Sequence, residues 1–521
     1  GFALVRVGGQ GDIAPTEENI TAILPVASNP DGGPVVGRAL EEFIFNNPDE
    51  VSRAPLSYPT ASMDPSSARL TVRRTQDGPR ETPSDLRWTF VSENEIEIAR
   101  AAGYDGGAIY EFVYEARDPI VMGLGFAAMR DVISFLRYAV ADPLGAPNPL
   151  ATPSLPHAAL SLGMSQSGRY LRDFLYQGFN EDVEGRIVFD GVHPVIAGSR
   201  KTFTNYPFAQ PGRWQRQHED HQYPGDQFPF TYTTTTDPLS GRTDGLLERC
   251  RASDTCPRII HSDGEAEIWQ ARASLVVTDA IGRDLQLPDN VRVYLVAGTQ
   301  HGGGPGIHTA GPYRDYRGFC ENVMSAIPLA PFVAALNVAL YDWVVHDVEP
   351  PPSRFPTVSN GGLVSADALA FPDIPGVRYT GSYNPLHYRT HEGVPPVDGD
   401  PYVVLVGAVD EDGNMTHGVI PPTLAVPIGT HTGWNLRAEG FGAGGQCAGA
   451  GSFFPFAQGA EERVRVGDPR PSLAERYGTH AGYVSAVRRA ADALVRDRLL
   501  LPGDAAEIVG QAAASEVLIG R

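Results

Sequence analysis

Between about residue 105 and residue 345, short apolar runs alternate with stretches whose apolar positions recur every three or four residues. "AIYEFVYEA" (108–116) reads as a strand, and "GFAAMRDVISFLRYAV" (125–140) has the i, i+3, i+4 spacing of an amphipathic helix. Further strands are predicted at "HAALSLG" (157–163), "GRIVFDG" (185–191), "PRIIHSDG" (257–264) and "VRVYLVAGT" (291–299). Helical patterns fall between them at "RYLRDFLYQGF" (169–179) and "IWQARASLVVTDA" (268–280). Strand–helix alternation of this kind predicts an α/β fold with a mostly parallel sheet covered on both faces. In such sheets the reactive groups gather at the carboxyl ends of the strands.

The flanks follow other rules. From 15 to 104 the chain is turn-rich, with period-two segments such as "ARLTVRRT" and "LRWTFV", which predicts an antiparallel excursion. A long irregular stretch rich in aromatics and proline, 197–245, interrupts the alternation as a lid-like insert. "VEPPPSRFP" (348–356) reads as a linker between a catalytic domain, 1–350, and a carboxyl-terminal extension, 351–521, packed on it. Within the extension, "PYVVLVGAVDEDGNMTHGVI" (401–420) predicts a hairpin around an Asp-Gly turn. "DEDGN" lacks the spaced ligands and distal glutamate of a calcium loop. The tail 471–503 predicts one helix, opened by a Ser472/Glu475 capping box after Pro471 and followed by Gly503.

Composition narrows the function classes. The chain has 521 residues, 42% hydrophobic and 20% charged, with 57 Gly and 45 Pro, which is the make-up of a turn-rich globular protein. A formal net charge of -21 argues against nucleic acid and against anionic membrane surfaces as partners. The most lipid-like stretch, "IPLAPFVAALNVALYDWVV" (327–345), is interrupted by two prolines, Asn337 and Asp342, and reads as a buried helix rather than a span. The opening "GFALVRVGG" resembles the inside of a strand, with neither an initiator Met nor a signal peptide, so upstream residues are expected. Of the four cysteines, Cys250 and Cys256 in "ERCRASDTCPR" are spaced to close a small loop. A disulfide there would imply a secreted or periplasmic protein; two reduced buried thiols are the alternative.

The chemistry centres on "SLGMSQSGRYL" (161–171). A nucleophilic serine at a strand-to-helix turn demands small residues two before and two after it. Around Ser165 these are Gly163 and Ser167; around Ser167 they are Ser165 and Arg169, and the arginine is hard to fit against the strand. Ser165 is therefore the candidate nucleophile, and a capping serine is the bland reading. A serine hydroxyl needs a base. Among thirteen histidines, His301 follows a predicted strand and is trailed by three glycines. His218 and His221 form a rival pair at i, i+3 spacing, but no third metal ligand accompanies them, and no metal site is expected. His193, just past a strand, is expected near the pocket. The imidazole needs a carboxylate, which Asp263, Glu265, Glu267 or Asp190 could supply. The order serine, acid near 265, histidine is that of α/β-hydrolases, yet physics alone does not choose among the three carboxylates near 265. For the oxyanion, the N–H of Gln166 and a glycine loop at Gly8, Gly9 and Gln10 are the candidate donors.

These residues resemble a known group. "GMSQSG", "NYPFAQPGRWQRQHEDHQYPGDQFPF", "CRASDTCPRIIHSDGEAEIWQARASLV", "AGTQHGGG", "VPIGTHTGWNLR" and "GDPRPSLAERYGTHAGYVSAVRRAADALV" are similar to the bacterial α/β-hydrolase domain-containing proteins, large serine hydrolases. The likeness spans most of the chain. The elbow is also similar to that of glucuronoyl esterases, whose glycine, serine and additional small residue fall on Gly163, Ser165 and Ser167. The resemblance implies an α/β-hydrolase fold with ester-hydrolysing activity and no cofactor. It places the acid, within a Glu-aromatic-Trp pattern, on Glu267 of "AEIW", where Ile268 replaces the aromatic. It also implies that the chain begins near the third strand of the fold.

The expectation is a serine carboxylesterase acting on a small-molecule ester, with Ser165, His301 and Glu267 as the catalytic residues. Trp214 and Phe230, with Phe208, Phe228 and Tyr232, are expected to wall the pocket or form its lid. Three rivals remain. An amidase or peptidase would use the same residues, a non-catalytic binding protein would use only the fold, and a metal hydrolase would centre on "HEDH".

Overall fold

A computed structural model describes residues 3–519 except 9–10, 12–16, 18–21, 77, 152–153, 212–222, 307–312 and 315–317. The amino-terminal elements are six strands: β1 (Val36–Phe43), β2 (Val51–Pro55), β3 (Arg69–Arg73), β4 (Arg87–Ser92), β5 (Glu95–Ala99) and β6 (Ile109–Arg117). They make two antiparallel three-stranded sheets, β1-β6-β3 and β2-β5-β4. Residues such as Phe43, Val72, Ile96 and Phe112 bury one another between them. β6 corrects the reading of 108–116 as the head of the parallel series. It pairs with β1 from Val36↔Arg117 to Phe43↔Tyr110 and with β3 on its other side, because its alternate residues Tyr110, Phe112, Tyr114 and Ala116 belong to the antiparallel core.

The elements that follow are α1 (Leu124–Tyr138), β7 (Leu160–Met164), α2 (Gln166–Tyr176), β8 (Gly191–Val195), the short β9 (Thr235–Thr236) and β10 (Thr243–Asp244), and α3 (Glu248–Ala252). After them come β11 (Arg258–Gly264), α4 (Glu265–Gln270), β12 (Val291–Val296) and α5 (Ala330–His346). β7, β8, β11 and β12 form the parallel sheet, in the spatial order β12-β11-β8-β7. Val192, Ile259, Val293 and Leu295 pack with Phe126 of α1 and Phe174 of α2. Their neighbours Val195, Ile260, Tyr294 and Val296 pack with Phe332 and Leu336 of α5. This period-two division is what burial on both faces requires.

Two predicted elements are displaced. The strand read at 185–191 starts where that reading ends, at Gly191. The preceding residues close a turn instead, in which Asp182 bonds the amides of Glu184 and Arg186. The helix read at 268–280 stops at Gln270, because Arg272 turns left-handed (φ 55°) to carry its guanidinium to Asp226 and Asn384.

The rest of the chain carries β13 (Leu363–Val364), β14 (His387–Thr390), β15 (Val397–Pro401), β16 (Val406–Gly407), α6 (Pro422–Ala425), β17 (Gly429–Thr432) and β18 (Ser452–Pro455). Helices α7 (Ala460–Val466), α8 (Leu473–Tyr477), α9 (His480–Arg496) and α10 (Pro502–Ala514) complete it. This region reaches back to the parallel sheet: Arg354 and Val419 make parallel bridges to Tyr294 and Val296 of β12. The predicted hairpin at 401–420 is reduced to its tip, the Val409↔Met415 bridge. Its flanks pair elsewhere, β16 with β13 and Val419 with β12. The single tail helix is three. The Ser472/Glu475 box caps only α8, Gly478 (φ 68°) ends it, Thr479 caps α9, and Gly503 lies inside α10.

One turn recurs. At Asp142, Asp182, Asp279 and Asp410 the carboxylate Oδ1 accepts the amides two and four residues on. A glycine of positive φ sits at the third following position: Gly145, Gly185, Gly282 and Gly413. Disulfides join Cys250 to Cys256 and Cys320 to Cys447. Among the described residues, no helix is long and apolar enough to cross a membrane.

Candidate active site

Three carboxyl ends of the parallel sheet meet. β7 ends at Met164 and the chain turns at Ser165 into α2, with φ 56° and ψ −117° at the serine. That backbone is strained for any residue carrying a side chain and lifts the hydroxyl above the strand. The turn is tight because two glycines allow it. A Cβ on Gly163 would lie 2.3 Å from Ser167 O, and one on Gly168 would lie 2.7 Å from Val195 O. The close approach after the serine thus falls on Gly168, while Ser167 itself is exposed.

Ser165 Oγ lies 2.8 Å from His301 Nε2. His301 is carried by the loop that follows β12, and its Nδ1 lies 2.5 Å from Glu267 Oε1. Facing a carboxylate, which only accepts, Nδ1 carries the hydrogen and Nε2 is left to accept from the serine. Glu267 is buried in the first turn of α4, and its Oε2 accepts from Gly264 N at 2.8 Å. The N–H of Gln166, the first residue of α2, is among the amides a helix cannot bond internally, and it lies at the positive end of the helix dipole. Of the other expected oxyanion donors, Gly9 and Gln10 lie outside the described residues.

The carboxylates that the sequence leaves equivalent have separate partners. Asp263 Oδ2 lies 2.8 Å from His261 Nε2, and its Oδ1 accepts from Gly198 N. Glu265 accepts from Gly298 N at 2.7 Å and Gly433 N at 2.9 Å. Asp190 pairs with Arg137, on the sheet side of α1. Burial pushes the Glu265 carboxyl up to about 7.

The pocket candidates divide. His193 is fully buried in β8, with Nδ1 2.7 Å from Asn337 Oδ1 and Nε2 2.8 Å from Ser262 Oγ. Burial holds this imidazole down to about 4, so it stays neutral inside the sheet. Phe230 packs edge-on against Phe228 and Tyr402, in a cluster with Leu275 and Leu386. Trp214, His218 and His221 lie outside the described residues. Among the described residues, no group of three His, Cys, Asp or Glu is placed to hold a metal. A cavity of about 1250 Å³ beside β7 is lined by Gln166 and Ser167 and by apolar residues such as Met129, Ile133 and Leu136, but by neither Ser165 nor His301.

What the sequence reading missed is the support behind His301. Its N–H bonds Gly449 O, Gln300 Oε1 accepts from Gly451 N, and Gln270 at the end of α4 accepts from Gly449 N. These partners come from beyond residue 350, where no local pattern announces them; Gly433 lies within "VPIGTHTGWNLR", a string notable only for its resemblance. No curated protein and no solved structure matches the chain. Residues 40–510 match the family model described as an alpha/beta hydrolase domain, so the chain belongs to that family, and its membership supports a hydrolase.

Proposed function

We propose that the protein hydrolyses carboxylic esters through an acyl-enzyme on Ser165. The observation that carries this reading is the unbroken line from Ser165 Oγ through His301 to Glu267, with gaps of 2.8 Å and 2.5 Å. Ser165 Oγ attacks the ester carbonyl as its proton passes to His301 Nε2. The imidazolium so formed is stabilised by Glu267, and the carbonyl oxygen, now an oxyanion, takes the N–H of Gln166. Collapse expels the alcohol, which leaves with the proton held by His301. A water then enters, gives a proton to Nε2 and attacks the acyl carbon; collapse breaks the bond to Ser165 Oγ, which takes that proton back from His301 as the acid leaves. The reading calls for no metal or organic cofactor, and the two disulfides fit an oxidising compartment.

The test is labelling with a fluorophosphonate probe and peptide mass spectrometry, beside a panel of nitrophenyl esters on wild type and Ser165→Ala. A label on Ser165, with turnover lost in the variant, is the expected result. A label on Ser167, or undiminished turnover in Ser165→Ala, would overturn the assignment.

A further inference from the structure

Glu265 is buried two residues before Glu267, and its charge is not used by the proposed reaction. Its two oxygens accept from two backbone amides that belong to distant parts of the chain: Gly298, at the root of the loop bearing His301, and Gly433, just after β17. The fit is close, since a Cβ on Gly433 would lie 2.7 Å from Glu265 Cγ. Thr299, next to Gly298, is bonded to the same turn, its carbonyl accepting from Ala266 N. The two N–H groups reach different oxygens, Oε2 and Oε1, and a carboxylate accepts at both. A glutamine of the same shape would turn an NH2 toward one of the two amides. A buried carboxylate with neutral partners is costly, so packing alone does not account for it.

We infer that Glu265 is a positioning residue whose carboxylate clamps the His301 loop to the 429–433 segment, holding the imidazole in line between Ser165 and Glu267. The inference rests on the serine-hydrolase reading above. When Glu265 takes up a proton, one oxygen becomes a hydroxyl and one of the two amide bonds weakens. The clamp is then complete only with the carboxylate ionised. What bears on it is burial, the amides of Gly298 and Gly433 and the indole of Trp269, with no charged group among them. The titratable residues on the elements packed around it are Asp263 and Glu267 on its own strand–helix unit, His301 on the loop and His431 on β17. His431 is buried, with Nδ1 3.0 Å from Ser325 Oγ, and burial holds it down to about 3, so it stays neutral through the working range.

The test is the hydrolysis of 4-nitrophenyl acetate by wild type and Glu265→Gln from about pH 5 to 9, with thermal unfolding and Ser165→Ala run in parallel. In Glu265→Gln, kcat should fall up to about a hundredfold, the size a displacement near 1 Å brings to a catalytic group, while KM stays near the wild-type value. The acid limb of the wild-type profile should be steeper than that of the variant by the one proton that Glu265 takes up. Unchanged kcat with the same limb in the variant would overturn the inference. So would a one-proton limb in wild type, a result that stands even if the variant fails to fold. Turnover in Ser165→Ala would instead sink the serine-hydrolase reading itself, and so keeps the two failures apart.

Discussion

Single residues at this site do their work through the backbone around them. Ser165 stays in its positive-φ conformation because both sides are tied, its N–H to Val195 O and its carbonyl to Arg169 N. Strain of this kind costs on the order of 1–3 kcal/mol and persists only where the surroundings over-determine it. Gly163 is legible as the small residue the turn requires, but the second close approach falls on Gly168, since the neighbouring strand β8, through Val195 O, decides which residue is crowded. Glu265 carries a stability prediction. Its carboxyl is raised from the ordinary 4.5 to about 7 by burial, so between those values the folded chain binds more protons than the unfolded one. Stability should therefore fall as pH rises through that window. Urea unfolding of Glu265→Gln beside wild type should show a flatter dependence across it; equal slopes would mean the carboxyl is not raised.

Among the elements, the recurring aspartate turn separates local signal from context. Asp-x-x-Gly is a pattern in the sequence, and the side chain closes the turn by accepting amides two and four residues on, with glycine supplying the positive φ. Only the copy at 410–413 is legible in the chain, where its Asp-Gly tip falls within the predicted hairpin. The copies should differ in worth. Asp142 bonds backbone amides at the surface, whereas Asp182 is buried and also bonds Ser134 and Arg186. Asp182→Ala should cost about 1–3 kcal/mol, the range for a buried partner removed, and Asp142→Ala less, as urea midpoints would show. The tail departs from the predicted single helix for a related reason. Apolar spacing continues through 471–503, but the positive φ of Gly478 and the cap of Thr479 restart the helix.

At the scale of the whole molecule, the segments beyond residue 350 complete the sheet and the site. Arg354 and Val419 cover the outer edge of β12, which would otherwise present unpaired backbone. Gly433 and Gly449 to Gly451 brace the loop of His301 from behind. The Cys320–Cys447 disulfide joins these regions across a sequence separation of 127, against 6 for Cys250–Cys256. By loop-closure entropy the long bridge is worth about 5 kcal/mol and the short one about 2. Cys320→Ser/Cys447→Ser should therefore lower Tm further than Cys250→Ser/Cys256→Ser. The reverse order would mean that the packing around Gly449 holds without its bridge.

By itself the sequence determined the alternation of strands and helices, the elbow around Ser165 and the histidine after β12. Each of these rests on residues within a few positions of one another, where periodicity, small side chains and chain order carry the signal. It left Asp263, Glu265 and Glu267 equivalent on physical grounds, and only a resemblance ranked them. Tertiary structure decided among their partners. Successive positions at the end of β11 and the start of α4 point in different directions, so one carboxylate meets His261, the next two backbone amides, and the third His301. It likewise decided that β6 joins the antiparallel core and that the chain beyond 350 reaches the site. Such pairings join residues far apart along the chain, and hydrophobic period alone does not say which strand edge will take which partner.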